Sequence, residues 1–68
     1  MRLIKLAKVM NVTGLSRSTI YKYISGGCFP KPVSLGIRNV AWVESEVEDW
    51  ILEKIKKRDE GDLGAKLY

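Results

Sequence analysis

The sequence predicts a small, mainly α-helical domain with one β-hairpin, and three observations support that prediction. Apolar residues recur at helical spacing in three separate segments. Gly14 lies between the first two segments and Gly26-Gly27 follows the second, as expected for a turn and a helix end. Between the second and third segments, short alternating apolar runs flank Gly36 and Asn39, which is typical of a hairpin. The 68 residues allow one domain that buries about 60% of its unfolded surface.

The start of the chain predicts a short helix that faces the core with three apolar residues. Leu3-Ile4 is a short strand or an ordered arm. The helix is expected over about residues 5–11, with Leu6, Ala7 and Met10 facing inward. Thr13-Gly14 follows as a turn in which the glycine can adopt a positive φ.

A second helix is predicted by its N-cap and by its two faces. Ser16 is a good N-cap, because its hydroxyl can accept hydrogen bonds from the N–H groups of the first turn. The helix is expected to end near Ser25, before the glycine pair. Its core-facing residues are Leu15, Ile20, Tyr23 and Ile24. Its outward residues are Ser18, Tyr21, Lys22 and Ser25, with Arg17 and Thr19 at the margins. Two helices joined by a glycine-containing turn match the helix-turn-helix pattern.

The middle of the chain predicts an extended segment followed by a hairpin. Phe29-Pro30-Lys31-Pro32 is rigid and extended, because each proline also restricts the residue before it. Val33–Leu35 and Val40–Trp42 read as the two strands, and Arg38 and Asn39 are expected at the tip.

A third helix is predicted from about Glu44 to Arg58. Ser45 with Glu48 three residues later suggests a capping box. The inward stripe consists of Val47, Trp50, Ile51 and Ile55. Trp42 and Trp50 are expected to hold the hairpin and this helix against the first two helices.

The end of the chain lacks apolar periodicity. We therefore expect a domain over residues 1–58 and a flexible tail over residues 59–68. Leu63, Leu67 and Tyr68 would be available in that tail for docking or for a partner contact.

Charge is divided sharply along the chain. Residues 1–43 contain seven Lys or Arg and no acid, a formal charge of +7. Residues 44–68 contain five basic and eight acidic residues, a formal charge of −3. Phosphate neutralisation dominates the affinity of proteins for nucleic acid, so an acid-free half indicates a polyanionic partner. The acids and bases of the third helix also suit its dipole, without any DNA.

Several classes of protein are disfavoured. One cysteine and no histidine exclude an internal disulfide and a Cys/His zinc site, and no cofactor or metal is expected. We expect no enzyme, because no ready general base exists at neutral pH.

Cys28 is expected to be a small buried or half-buried residue, with an intermolecular disulfide or redox switch as the alternative. No apolar run approaches the roughly 20 residues of a membrane span, and the start is too short for a signal peptide, so we expect a cytoplasmic protein, nucleoid-associated when bound.

Four blocks of the sequence together resemble the AlpA family of prophage regulatory proteins, small relatives of the MerR-like and excisionase winged-helix proteins. The blocks are Thr13–Tyr21, Phe29–Val33, Ala41–Val47 and Trp50-Ile51. The resemblance covers about residues 2–58 and implies a minimal winged helix-turn-helix that binds DNA. Members of the family include activators of prophage integrase genes and recombination directionality factors that bend DNA at attachment sites. Gly27-Cys28 falls where the family varies.

The expected DNA contacts lie on the second helix, the hairpin tip and the rim around them. They are Ser16, Arg17, Ser18, Thr19, Tyr21, Lys22, Lys31, Arg38 and Asn39, with Lys5 and Lys8 as further phosphate candidates. For Tyr21, a core or rim position is an equal alternative.

The expected partner is double-stranded DNA, with integrase or RNA polymerase nearby and cooperative self-association on the DNA. The alternative is a protein-interaction module that inhibits another regulator through the acidic third helix and the tail.

Overall fold

Three helices and a three-stranded antiparallel sheet make up the protein in the computed structural model, which describes the backbone of residues 1–65 and the side chains of residues 1–60. The elements are β1 (Leu3–Ile4), α1 (Leu6–Thr13), α2 (Arg17–Ser25), β2 (Val33–Gly36), β3 (Asn39–Val43) and α3 (Glu44–Ala65). This order is that of a minimal winged helix-turn-helix, and the predicted fold class is confirmed.

The sheet has the order β1-β3-β2, so the second strand of the hairpin lies in its centre. Leu3-Ile4 forms a strand, the first of the two alternatives, and pairs antiparallel with β3 through Ile4 and Trp42. On its other side β3 pairs with β2, with a register shift between Ser34 and Gly36. This arrangement ties the start of the chain to the hairpin.

Nearly every element contributes one buried side chain to the core. The buried cluster consists of Ile4, Val9, Ile20, Phe29, Trp42 and Val47. β2 contributes none, since all four of its residues are exposed. The core therefore lies between the three helices and the β1–β3 side of the sheet.

The indole N–H groups of both tryptophans fasten the segment between α2 and the hairpin. Trp42 Nε1 donates to the carbonyl oxygen of Pro30 at 3.0 Å, and Trp50 Nε1 donates to that of Cys28 at 2.6 Å. The ring of Phe29 packs edge-on against Trp50, with centroids 4.8 Å apart. Both tryptophans thus have the structural role predicted for them, although Trp50 is only half-buried.

Three burial predictions are wrong. Ile55, predicted on the inward stripe of the third helix, is 40% exposed. Val9 is fully buried and Ala7 is exposed, because the inward stripe of α1 runs through Leu6, Val9 and Met10 rather than through Ala7. Cys28 is exposed, because its carbonyl faces Trp50 while its side chain stays at the surface of the bend.

The first turn of α3 differs from the predicted capping box. The helix begins at Glu44, directly after β3, so Ser45 lies inside the helix instead of at its N-cap. The backbone N–H of Glu44 donates to the carbonyl oxygen of Arg2 at 2.7 Å. A backbone carbonyl next to β1 therefore accepts the hydrogen bond that a capping side chain would otherwise accept.

α3 also continues past its predicted end near Arg58 and reaches Ala65. Gly61 and Gly64 are weak helix formers, and the apolar stripe ends at Ile55, so the pattern stops before the helix does. The boundary between a domain and a flexible tail at Arg58 stays a prediction. Residues 66–68 and the docking contacts expected of Leu63, Leu67 and Tyr68 lie outside the described side chains. Among the helices within residues 1–65, none combines the length and apolar composition needed to cross a membrane.

Replacing Trp42 with alanine should unfold much of the population. A buried Trp→Ala change costs about 3–5 kcal/mol, and a domain of this size has only about 3–10 kcal/mol in total. Leu52→Ala is the control, because Leu52 is 60% exposed and should lie within about 0.5 kcal/mol of the parent. Urea unfolding followed by circular dichroism measures both variants. An unchanged midpoint for Trp42→Ala would show that the indole is not the centre of the core.

Candidate nucleic-acid interface

The turn between α1 and α2 has the left-handed glycine that the sequence predicts. Gly14 has φ 74°, and its N–H donates to the carbonyl oxygen of Met10 at 2.8 Å. The hydroxyl of Thr13 donates to the carbonyl oxygen of Val9 and accepts the N–H of Leu15 at 3.2 Å. These bonds fix the direction in which α2 leaves the turn.

Ser16 caps α2 as predicted. Its Oγ accepts the backbone N–H of Thr19 at 3.2 Å and lies 2.9 Å from Thr19 Oγ1. The hydroxyls of Ser16 and Thr19 are therefore already bonded to each other. By contrast, the side chains of Arg17, Ser18 and Lys22 are on the exposed face of the helix.

An aromatic stack holds the basic residue at the start of α2. The guanidinium carbon of Arg17 lies 5.9 Å from the ring centroid of Tyr21. The Tyr21 ring packs edge-on against buried Trp42, with centroids 6.3 Å apart and an interplanar angle of 67°. Tyr21 is 38% exposed, so it is at once a rim aromatic and a surface residue. The rim position weighed for Tyr21 is confirmed, and its contact with DNA stays a prediction.

The hairpin tip holds an arginine in a conformation that favours glycine. The two-residue loop is Ile37-Arg38, and Arg38 has φ 56°. Ile37 is outside the positive-φ region, so the turn is not the mirror-image type that two-residue hairpins favour. A left-handed conformation costs an L-residue about 1–2 kcal/mol. Such strain at an exposed charged residue is typical of functional sites.

Asn39 joins the base of the hairpin to the start of α1. Its side-chain oxygen accepts a hydrogen bond from Lys5 Nζ, across 34 positions of sequence. Lys5 is thereby placed beside the hairpin, where the sequence alone gives it no particular position.

These side chains meet in one open groove of about 550 Å³ between α2, the hairpin and the start of α1. Its lining consists of Lys5, Leu6, Ala7, Arg17, Tyr21, Arg38, Asn39 and Val40. Four of the predicted contact residues, Arg17, Tyr21, Arg38 and Asn39, are in that lining. The other five, Ser16, Ser18, Thr19, Lys22 and Lys31, lie outside the lining. Sequence reasoning missed Ala7 and gave Lys5 only a general role.

The charged residues that line the groove are all positive. Three of its lining residues are cations, namely Lys5, Arg17 and Arg38, and none is an acid. Glu44, the first acid of the chain, faces Arg2, with Nε and Oε2 3.8 Å apart. Among residues 1–60, Glu44 thus offsets Arg2, and no acid forms an ion pair with the three groove cations.

Known proteins resemble this chain over most of its length. A family model described as "Prophage CP4-57 regulatory protein (AlpA)" matches residues 2–55. The uncharacterized protein ORF88 of Enterobacteria phage P4 is 50% identical over 60 residues, which cover 88% of this chain and 68% of the relative. The DNA-binding transcriptional activator AlpA of Escherichia coli (strain K12) is 33% identical over 61 residues, covering 81% of this chain and 87% of the relative. The family match includes every residue that lines the groove.

Removing the cap of α2 should lower the stability of the domain more than removing a neighbouring exposed hydroxyl does. Ser16→Ala leaves the N–H of Thr19 without its side-chain acceptor and should cost about 1 kcal/mol. Ser18→Ala is the matched control, since Ser18 is exposed and should lie within about 0.5 kcal/mol of the parent. Urea unfolding curves compare the two. Equal stability of the variants would contradict the cap.

Proposed function

This chain belongs to the AlpA family of prophage regulatory proteins, and on that premise we propose that it binds double-stranded DNA and regulates genes of a prophage or mobile element. The observation that carries the proposal is the groove between α2 and the hairpin, with three cations and no acid in its lining. A polyanion that enters a groove of this kind exchanges its counterions for fixed protein charges. The E. coli relative is named a DNA-binding transcriptional activator, which supports the same partner.

In the proposed complex the exposed face of α2 lies in the major groove. The second helix of a helix-turn-helix docks there with its N-terminal residues toward the base edges. Arg17 is the first residue of α2 and packs on the ring of Tyr21. That contact limits the rotamers of Arg17 before binding, so less conformational entropy is lost when it bonds guanine or a phosphate.

The other polar residues of α2 divide into two groups. Ser18 and Lys22 are exposed and reach phosphate or base edges directly. Ser16 and Thr19 bond to each other, so their part is to hold the first turn, whose free N–H groups favour a phosphate. The methyl group of Thr19 remains available to a thymine.

The hairpin acts as a wing that contacts the duplex beside α2. Arg38 projects from its tip, and Asn39 is held by Lys5, so helix and wing present their charges together. Lys5 in the groove and Lys31 outside its lining then add phosphate contacts.

The size of the interface argues for more than one copy on each target. Four to six phosphate contacts give a salt slope of about −4 to −5 in log–log form. A single module buries about 600–1,000 Å² of protein on DNA, which limits its specificity. We therefore propose cooperative binding to paired sites, with integrase or RNA polymerase as neighbours, in transcription regulation, excision control or both.

Two arginine substitutions test the proposal. Arg17→Ala removes a contact worth about 1–3 kcal/mol, so the affinity should fall about 5- to 150-fold. The affinity of Arg38→Gly should fall to a comparable degree. Because glycine adopts φ 56° without steric strain, this variant should stay folded. Glu46→Gln and Glu53→Gln on the exposed face of α3 are the charge controls and should change affinity little. Fluorescence anisotropy measures all four on a duplex selected from a random library.

Two results would contradict DNA binding. One is the absence of salt-sensitive affinity for any duplex in the library. The other is a pattern in which the glutamate variants, rather than the arginine variants, abolish function in the cell. That pattern would favour the protein-interaction module.

A further inference from the structure

The tip of the wing exposes an apolar side chain that the groove does not use. Ile37 is 94% exposed, whereas Leu35 on the same hairpin is 46% exposed. Ile37 is outside the lining of the positive groove, which includes its neighbour Arg38. Together with Val33 and Leu35, which are 39% and 46% exposed, Ile37 gives the hairpin a run of exposed apolar side chains. Apolar patches of this kind mark binding surfaces.

The tip is held firmly enough to act on another molecule. Asn39 closes the loop by pairing with Gly36 and is bonded to Lys5 on α1. Two residues further along β3, Ala41 and then Trp42 are buried in the core. The loop itself has only two residues, so little of the tip can yield when it is pressed against a surface.

The edge of β2 carries devices that oppose pairing with another protein strand. The strand has four residues, a register shift interrupts it between Ser34 and Gly36, and Lys31-Pro32 precedes it. Short length, irregular register, lysine and proline are the ways in which natural sheets blunt an edge. An apolar tip on a blunted edge favours insertion of one side chain over docking of a whole strand.

We propose that Ile37 is a wedge that inserts from the minor groove between two base pairs of the bound duplex and kinks it. The inference rests on the proposed DNA binding and goes beyond it by assigning a residue and a deformation. Apolar wedges of this kind partially unstack one base step and bend the duplex by about 20–90° toward the major groove. Arg38, next in sequence, is placed to contact the phosphates or base edges beside the opened step.

The wedge also confers a sequence preference at a step that the protein does not read by hydrogen bonds. Pyrimidine–purine steps unstack at least cost, so the step under the wing should be of that kind. The preference at that step should depend on Ile37 and be independent of Arg17.

The experiment uses the full chain and the duplex selected from a random library. Donor and acceptor dyes at the two ends report the bend, and 2-aminopurine placed at successive positions reports unstacking. The parent should bend the duplex by about 20–90° and brighten 2-aminopurine at one step under the wing. Ile37→Ala should lose both signals, while its affinity changes by less than about tenfold, because the phosphate contacts are retained. Ile37→Leu should keep both signals, and Leu35→Ala is the matched control on the same hairpin.

Four outcomes would overturn the wedge. The parent binds the duplex without bending or unstacking it, or Ile37→Ala bends it as the parent does. In either case DNA binding stands and the wedge does not. In the third, Leu35→Ala and Ile37→Ala are equally defective, which points to an apolar contact between neighbouring proteins. In the fourth, no duplex is selected at all, and the proposed function fails together with the wedge.

Discussion

The buried indole of Trp42 is the constraint on which the rest of this small domain depends. It lies in the central strand of the sheet, pairs across to Ile4, and donates its N–H to the carbonyl oxygen of Pro30. Its ring makes a T-shaped contact with the ring of Tyr21 on α2. One side chain therefore fixes the start of the chain, the segment before the hairpin, the hairpin and the second helix relative to one another. Residues 1–60 contain only seven buried hydrophobic residues, so the domain has few other ways to hold these parts in register.

The same contact joins the core to the proposed DNA surface. Tyr21 lies between Trp42 and Arg17, so the packing of the core orients the first cation of α2. On the opposite wall of the groove, Lys5 and Asn39 connect α1 to the wing. The acids begin only at Glu44, where β3 passes directly into α3, and the acidic first turn of that helix also suits its dipole. The junction between β3 and α3 therefore separates the acid-free part of the fold from the part that contains all eight acids.

Local features of this fold could be predicted from the sequence, and contacts between distant residues could not. The left-handed conformation of Gly14, the cap at Ser16 and the outward face of α2 follow from backbone and side-chain chemistry within a few residues. The bond between Lys5 and Asn39 depends on the pairing of β1 with β3, which no local pattern specifies.

Burial was the least predictable property. Val9 and Ala7 differ by half a turn of one short helix, and only tertiary packing decides which of them faces the core. The 94% exposure of Ile37 could not be predicted either, because no local pattern decides whether an apolar turn residue packs against another element.

The most direct test of the central claim is a map of backbone amide shifts in a ¹⁵N-labelled sample of the full chain titrated with the selected duplex. We expect the largest changes at residues 5–7, over the first half of α2 and at the wing tip. Small changes are expected in the half of α3 that follows Leu52. Changes concentrated on α3, with the groove unaffected, would contradict the assignment of the groove between α2 and the wing as the DNA-binding site.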